Sequence, residues 1–306
     1  MNRFNNWMSY SVDGVEYGRK TTPASIFSIN FNNPITNKNI NYQDALFNNA
    51  KIMRDMFNEP FDVMLSAGID SEIVVRTFKT LKIKHNTFIF RLEDNINVRD
   101  VTGAINLCME LNIPYKIIDF NLKKFFDKDA LEIYNLTHAP RAARLPRFKW
   151  IDYVDNIPIF CDGEPYWKRE LEDNYAQKSK WKMYFGEDAY SIGCYANQIN
   201  RTVIADWYEY TPDIMASYSK HHLIQRLLND EITGKQSSWS SRYKLHREIW
   251  PEVKDREKLI GYEGATGPAT DMPQYILDFQ TNICDNATNM IYTYYLEEFN
   301  FLLNCS

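Results

Sequence analysis

The stretch FDVMLSAGIDSEIVVRTFKTLK, residues 61–82, decides the fold of this chain. It opens with a short apolar run that ends at Ser66, and Gly68 follows two residues later. From residue 72 onward the apolar side chains return at helical spacing, at Ile73, Val74, Phe78 and Leu81. The pattern predicts a buried strand, a tight turn and a helix in direct succession.

Similar segments follow this one along the chain. The runs NTFIFRL (86–92), YKIIDF (115–120) and IPIFCD (157–162) have the apolar character of buried strands, and a helix is predicted over 100–112. Strands that alternate with helices favour a parallel sheet with right-handed crossovers. We therefore predict an α/β fold with a doubly wound, mostly parallel five-stranded sheet and a helical C-terminal region.

Changes in apolar periodicity divide the chain into three predicted domains. Residues 1–58 form a β-hairpin and a helix, residues 59–175 form the α/β domain, and residues 176–306 form a mainly helical region that completes the site. Within the outer two domains the specific predictions are β-runs at 7–17 and 26–31 and helices at 42–57, 212–230 and 273–303.

Composition excludes several classes of protein. The chain has 306 residues, of which 44% are hydrophobic and 25% charged, as in globular proteins. The 35 basic and 40 acidic side chains give a net charge of -5, which excludes generic nucleic-acid binding. The five cysteines contain no C-x-x-C pair, and the sequence shows no signal peptide or membrane span. We therefore expect a cytoplasmic protein with no membrane partner.

The turn between the first strand and its helix has residues suited to an anionic ligand. Open α/β sheets bind ligands at the carboxyl ends of their strands, and a helix N-terminus attracts negative charge. Gly68 permits close approach of backbone to phosphate, and Ser66 and Ser71 offer hydroxyl groups. Asp70 suits a bridging Mg²⁺. These residue types predict a nucleoside triphosphate with its metal; a chance serine and glycine turn is the alternative.

The hexapeptide Ser66-Ala67-Gly68-Ile69-Asp70-Ser71 resembles the S-G-G-x-D-S loop of the N-type ATP pyrophosphatases, the PP-loop superfamily. The synthetase domain of asparagine synthetase, NAD synthetase, GMP synthetase and tRNA-lysidine synthase share this loop. The resemblance implies an adenine nucleotide alpha hydrolase-like fold, ATP and Mg²⁺ bound by these six residues, and cleavage between the α and β phosphates. Ala67 departs from the pattern, because the family has a glycine there.

The resemblance covers residues 60–230 and implies further site residues. The strand containing Phe90 and Arg91 stands where the family holds adenine. Asp162 and Gly163 follow a strand where asparagine synthetase-like enzymes carry G-E-G-x-D-E, so Asp162 is implied as a catalytic residue and second metal ligand. The later Asp-Glu pair of that signature is absent. An ordinary core strand is the alternative interpretation at residues 86–92.

Two basic positions complete the predicted site. Lys220 lies in a segment resembling the helix of asparagine synthetases that offers a cation to departing pyrophosphate. Arg144 lies with Arg141 and Arg147 in the loop HAPRAARLPRF (138–148), which is suited to closing over phosphates. A solvated helix face and a surface loop paired with acidic neighbours are the alternatives.

These residues predict an asparagine synthetase-like ligase that forms a C–N bond, with Asp70, Asp162 and Lys220 as catalytic residues. The enzyme would adenylate a carboxylate or a similar group, release pyrophosphate, and let ammonia or an amine displace AMP. The residues before the loop are too few for a glutaminase domain, so ammonia would come from solvent or from a separate ammonia-donating protein. The alternatives are a non-catalytic nucleotide-binding protein, which Ala67 favours, and a sulfur-transferring enzyme.

Overall fold

The computed structural model describes residues 7–19, 21–22, 25–32, 39–93, 96–163, 165–169, 181–229, 241–254, 272–284 and 291–295. The strands are β1 Met8–Val12, β2 Val15–Glu16, β3 Phe27–Phe31, β4 Phe61–Met64, β5 His85–Leu92, β6 Lys116–Phe120, β7 Ile157–Ile159, β8 Trp167–Arg169, β9 Trp181–Gly186 and β10 Ile291–Tyr295. The α-helices are α1 Tyr42–Met56, α2 Ile69–Thr80, α3 Val98–Leu111, α4 Leu122–Lys128, α5 Ala130–Thr137, α6 Leu145–Trp150, α7 Glu187–Gln198, α8 Pro212–Lys220, α9 His222–Leu228, α10 Arg242–Ile249 and α11 Gln274–Phe279.

The central sheet is parallel and has the order β6-β5-β4-β7. Phe61 of β4 pairs with His85 on one side and with Ile157 on the other, so β4 lies between β5 and β7. All four residues of β4 are buried, as expected for a strand covered on both faces. The chain runs outward from β4 to β5 and β6, then returns to β7 on the other side of β4.

The four predicted strands of this sheet and the helices between them are confirmed. The prediction of five strands is not: the described residues give four, and beside β7 a single parallel bridge joins Ile159 to Ile204. The strand at IPIFCD ends at Ile159. After it, the Phe160 amide donates to the Ile204 carbonyl at 2.9 Å, and the Phe160 carbonyl accepts from the Trp207 amide at 3.2 Å.

The N-terminal elements are confirmed as a three-stranded antiparallel sheet of order β2-β1-β3 followed by α1. The side chain of Asn41 caps α1 by accepting a hydrogen bond from the Asp44 amide at 2.8 Å. The sheet packs on the later part of the chain: the Trp7 indole donates to the Glu209 carbonyl at 2.7 Å. The N-terminal segment is therefore part of the fold around residues 204–210.

The prediction of one helix over 273–303 is wrong. In the described residues the helix ends with α11 and a π-helical turn, Gln280–Cys284, and residues 291–295 form strand β10. This strand pairs antiparallel with β9, in a second sheet of order β10-β9-β8. Aromatic residues such as those of IYTYY (291–295) favour strands, and pairing over a long sequence distance overrides helical spacing. The predicted helix over 212–230 is present as α8 and α9, which break at His221.

A buried arginine joins the helices behind the loop that follows β4. Arg76 of α2 is 3% exposed and forms ion pairs with Glu72, with Glu110 of α3 at 2.6 Å and with Glu252 after α10 at 2.9 Å. These pairs fix α2 against its neighbours.

Among the described residues no helix combines the length and the apolar character that crossing a membrane requires.

Candidate functional site

The predicted phosphate loop lies where the strand order reverses. β4 ends at Met64, the Leu65 amide makes a last bond to the Phe88 carbonyl at 2.9 Å, and α2 begins at Ile69. Between them Ser66 and Gly68 are exposed. Because β5 and β7 continue on opposite sides of β4, a crevice opens at this point of an open sheet. The turn therefore stands at the place where such sheets bind ligands.

Hydrogen bonds within the loop hold its shape. The Ser71 hydroxyl donates to the Ser66 carbonyl at 2.7 Å, and the Ser66 hydroxyl accepts from the Gly68 amide at 3.2 Å. Gly68 has an extended backbone, and a methyl group there would meet only the Ser66 hydroxyl, at 3.3 Å. Ser71 thus braces the turn, while Ser66 is exposed beside the N-terminus of α2.

Asp70 is held by two elements distant in sequence. Its carboxylate Oδ1 accepts from Arg242 Nη1 of α10 at 2.7 Å, and its backbone carbonyl accepts from the Tyr208 hydroxyl at 2.9 Å. Arg242 is 2% exposed, whereas Asp70 is 25% exposed. One side of the carboxylate therefore faces a buried cation, and the rest of it is accessible to solvent.

Asp162 lies after β7, next to the loop after β4. Its carboxylate forms an ion pair with Arg147, whose guanidinium lies 5.3 Å from the centre of the Phe160 ring. Tyr208 contacts both loops, because its amide donates to the Asp162 carbonyl at 3.4 Å while its hydroxyl binds Asp70. Neighbouring strands lie about 4.8 Å apart, so the two loops share one edge of the sheet.

Gly163 is required by close packing behind this second loop. Its φ of +80° is a conformation that side chains rarely adopt, and an added Cβ would lie 2.6 Å from the Cβ of Asp206. Asp206 and Glu209 are both buried, at 5% and 4% exposed. The Glu209 carboxylate accepts from the Tyr10 hydroxyl. Burial and the nearby Glu209 and Asp206 raise the pKa of Tyr10, so it stays protonated as a donor.

The predicted adenine-contacting residues have other partners here. The Phe90 ring is buried and stacks on Trp150 with ring centres 4.4 Å apart, and exposed Arg91 binds Asp119 on β6. The Asn97 side chain donates to the Phe90 carbonyl and accepts from the Leu92 amide, both at 2.8 Å. The backbone of β5 at Phe90 and Leu92, beyond the part that pairs with β4, is therefore already hydrogen-bonded to the side chain of Asn97.

The two predicted basic residues occupy different places. Arg144 ends a short 3₁₀ turn directly before α6, the helix that carries Arg147. Lys220 is the exposed last residue of α8, roughly 12 Å along the helix axis from Pro212. The 3₁₀ turn Trp207–Glu209, which contains Tyr208, lies at the Pro212 end. The structure therefore brings Arg147 of α6 to Asp162 and places Lys220 at the end of α8 farther from Tyr208.

Asp70 and Asp162 were also predicted as metal ligands. Asp70 Oδ1 is bonded to Arg242, which leaves Oδ2 for a cation. Mg²⁺ commonly takes one or two carboxylates and completes its coordination with substrate phosphates and water. One oxygen of Asp70 beside a phosphate loop fits that mode of binding. Among the described residues neither aspartate belongs to a group of three close metal-binding side chains, so the protein alone does not form a metal cage here.

Arg147, Arg242 and Tyr208 are the residues of this region that the sequence did not predict as site residues. The sequence indicates Arg147 only as one arginine of the loop 138–148, and Arg242 lies in the Trp- and Arg-rich segment 239–264. Their partners are 15 and 172 residues away. Periodicity and motifs report local structure, so only the density of arginine in the two segments could have indicated them.

Comparisons with known proteins give weak structural similarity. No protein-family model and no curated protein sequence matches the chain. The structure is similar to NMN synthetase from Francisella tularensis, with 23% identity and a TM-score of 0.27 over 40% of this chain and 53% of that chain. It is also similar to NH3-dependent NAD synthetase from Campylobacter jejuni, with 12% identity and a TM-score of 0.34 over 81% of this chain and 97% of that chain. At such scores the contacts within this chain must carry the functional proposal.

Proposed function

We propose that the chain is an ATP-using ligase of the PP-loop kind, which adenylates a carboxylate or similar group and passes it to ammonia or an amine. One observation carries the proposal: the turn from Ser66 to Ser71 lies at the reversal of strand order and leads directly into the 12 residues of α2. Phosphate binds well at such a helix N-terminus, where amide groups and the helix dipole point at the ligand.

The contacts of the loop suggest how phosphates would be held. The Ser71 hydroxyl is engaged with the Ser66 carbonyl, so Ser71 acts as a brace. Exposed Ser66 and the amides after Gly68 would then make the direct contacts. Ala67 is half-buried beside them and adds a methyl group without changing this set of donors.

The two ion pairs assign distinct roles to the acidic residues. Asp70, held by Arg242, would present its second oxygen to Mg²⁺, which when bound would neutralise charge on the phosphate oxygens. Asp162 is paired with Arg147 of α6. We therefore assign Asp162 to orienting the incoming amine, and Arg147 to the negative charge that develops on the departing phosphates. Lys220 stays a predicted contributor.

The cysteines bear on the sulfur-transfer alternative. Cys108, Cys161, Cys194 and Cys284 are buried residues that carry thiols rather than disulfides. Burial raises the pKa of Cys108 to about 11 and that of Cys284 to about 12, and it also raises that of Cys161. A neutral, buried thiol is a poor nucleophile. These four residues do not support sulfur transfer, and as thiols they support the proposal of a reducing compartment.

The first prediction tests the role of Asp70. We expect wild-type protein with ATP, Mg²⁺ and a pool of carboxylic acids and amines to release AMP and pyrophosphate. Asp70→Asn removes the charged oxygen that would hold the metal, so release should fall at least about 100-fold while ATP binding weakens only slightly. The measurement is AMP and pyrophosphate by chromatography, with nucleotide affinity by calorimetry.

A matched control separates this effect from loss of an ion pair. Asp127→Asn also breaks an ion pair of an aspartate, with Lys123, on the exposed surface of α4. That variant should keep wild-type release of AMP. Full activity in Asp70→Asn would exclude the assigned role of Asp70.

A second candidate function is a nucleotide-binding protein without catalysis. The observation that favours it is that Asp70 and Asp162 are each already neutralised by an arginine. Such a protein would bind ATP but release neither AMP nor pyrophosphate with any acid and amine. Ala67→Gly discriminates further, because a large gain in turnover would show that the natural methyl group obstructs catalysis.

A further inference from the structure

A second cluster of polar side chains lies where α9 meets α10. His221 Nε2 is 3.2 Å from Glu248 Oε2, and His222 Nε2 is 3.2 Å from Glu248 Oε1. The two imidazole rings are tilted, with centres 4.6 Å apart. One ligand atom from each residue lies within 4.8 Å of the others. Three side chains of metal-binding type therefore converge on a small volume.

Local structure fixes the direction of these side chains. His221 is the residue that caps α9, and His222 is the first residue of that helix. The Tyr42 ring of α1 packs against the His221 ring, with ring centres 6.5 Å apart. Glu248 lies in the last turn of α10 and is 44% exposed, while His222 is 62% exposed. The site is held by its inner histidine and reached from solvent through the other two residues.

The donor set and its spacing match a four-coordinate zinc site. Two imidazole nitrogens and one carboxylate oxygen are borderline ligands of the type that Zn²⁺ accepts. In tetrahedral zinc, bonds of about 2.1 Å place neighbouring donors about 3.4 Å apart. The two histidines approach different oxygens of Glu248, each at 3.2 Å, and one donor atom from each residue lies within 4.8 Å of the others, so small side-chain rotations would bring the three donors to that spacing. We propose that His221, His222 and Glu248 bind a Zn²⁺ ion, with water as the fourth ligand, and so join α9 to α10.

Glu248 is the acidic side chain of the cluster, and its carboxylate would offset part of the charge of a bound Zn²⁺.

Binding of a metal at Nε2 of His221 would require the other tautomer of its imidazole ring. Its Nδ1 accepts from the Leu223 amide at 3.4 Å, so Nε2 now carries the proton that faces Glu248. Binding of zinc at Nε2 would move that proton to Nδ1 and end the contact with Leu223. A hydrogen bond of 3.4 Å is long, so little stability is lost in the exchange.

The experiment uses the full chain without an affinity tag, and with Cys305→Ser so that this thiol cannot bind metal. Zn²⁺ binding is measured by calorimetry, and Co²⁺ is added as a probe whose visible absorption reports nitrogen and oxygen ligands in a tetrahedral site. We expect one ion per chain. His222→Ala and Glu248→Gln should each weaken binding at least about tenfold and remove the cobalt absorption.

The control is His138→Asn, which removes a histidine outside the cluster and places asparagine where φ is +48°. It should bind zinc as the parent does, and circular dichroism should show all variants folded. Zinc should also raise the melting temperature of the parent but not of Glu248→Gln. Equal affinity in parent and Glu248→Gln, or absence of saturable binding, would show that the cluster is only an ion pair. The result does not depend on whether the loop at Ser66 binds ATP.

Discussion

Two glycines with the same backbone angle show what packing adds to conformation. Gly163 and Gly14 both have a φ of +80°. An alanine at either position pays the cost of the left-handed region, about 1–2 kcal/mol. Only at Gly163 would the new Cβ also meet other atoms, at 2.6 Å from Asp206 and 2.9 Å from Glu209. The difference between the two sites therefore isolates the close contact behind the second loop.

Gly163→Ala should lower the free energy of unfolding by about 3–4 kcal/mol, and Gly14→Ala by only about 1–2 kcal/mol. The extra loss reflects displacement of the buried segment that contains Asp206 and Glu209. Urea unfolding followed by circular dichroism measures both values. Equal losses for the two variants would mean that Asp206 does not lie against Gly163.

At the scale of elements, the pair between Asp70 and Arg242 joins α2 to α10 across 172 residues. Substituting one residue of the pair leaves the other without its partner, and the two cases differ because Arg242 is buried and Asp70 is partly exposed. Asp70→Asn removes the negative charge that compensates the buried guanidinium of Arg242. Arg242→Gln releases a carboxylate that water still reaches. The first change should therefore destabilise the protein more than the second.

A double-mutant cycle tests this link. The two single changes and their combination should be non-additive, with a coupling free energy of about 1–2 kcal/mol. The expected cause is direct contact, since variants far apart add independently. Urea unfolding of all four proteins gives the coupling free energy. A value near zero would separate α10 from the loop, and the Tyr208 contact alone would then hold Asp70.

The elements also show what sequence patterns can predict. Residues 61–120 alternate apolar runs with helical spacing, and each of those strands and helices is present. Strand β10 was missed, because its partner β9 is more than 100 residues away and IYTYY carries no local sign of that pairing. For the same reason the motif indicated Asp70 but not Arg242. Local patterns specify elements and loops, whereas partners between distant elements depend on the tertiary fold.

At the scale of the whole molecule, buried neutral histidines connect stability to pH. His246 is 1% exposed on α10 and packs against Tyr42 of α1, with ring centres 5.8 Å apart. Arg242 and His221 also oppose a positive charge there, and burial is the largest cause that lowers the pKa of His246 to about 3. Unfolding exposes the ring, whose pKa then returns to about 6.5. Between about pH 3 and about pH 6.5 the unfolded chain therefore binds a proton at His246 that the native protein does not bind.

The sign of the effect follows from this difference. Below about pH 6.5 the unfolded state binds one more proton at His246, so the free energy of unfolding falls as pH falls, by up to about 1.4 kcal/mol per pH unit. His85 and His221 add to the same trend, because burial lowers the pKa of each. Between pH 7 and 5, before most carboxylates titrate, His246 alone should account for a loss of about 2 kcal/mol.

His246→Phe replaces the imidazole with an aromatic ring that does not titrate, so its free energy of unfolding should fall by about 2 kcal/mol less than that of wild type between pH 7 and 5. Urea unfolding at several pH values gives the two slopes, and the comparison of slopes is independent of any constant loss of packing in the variant. Parallel slopes for wild type and His246→Phe would place His246 in contact with solvent, and α10 could not then pack against α1 as described.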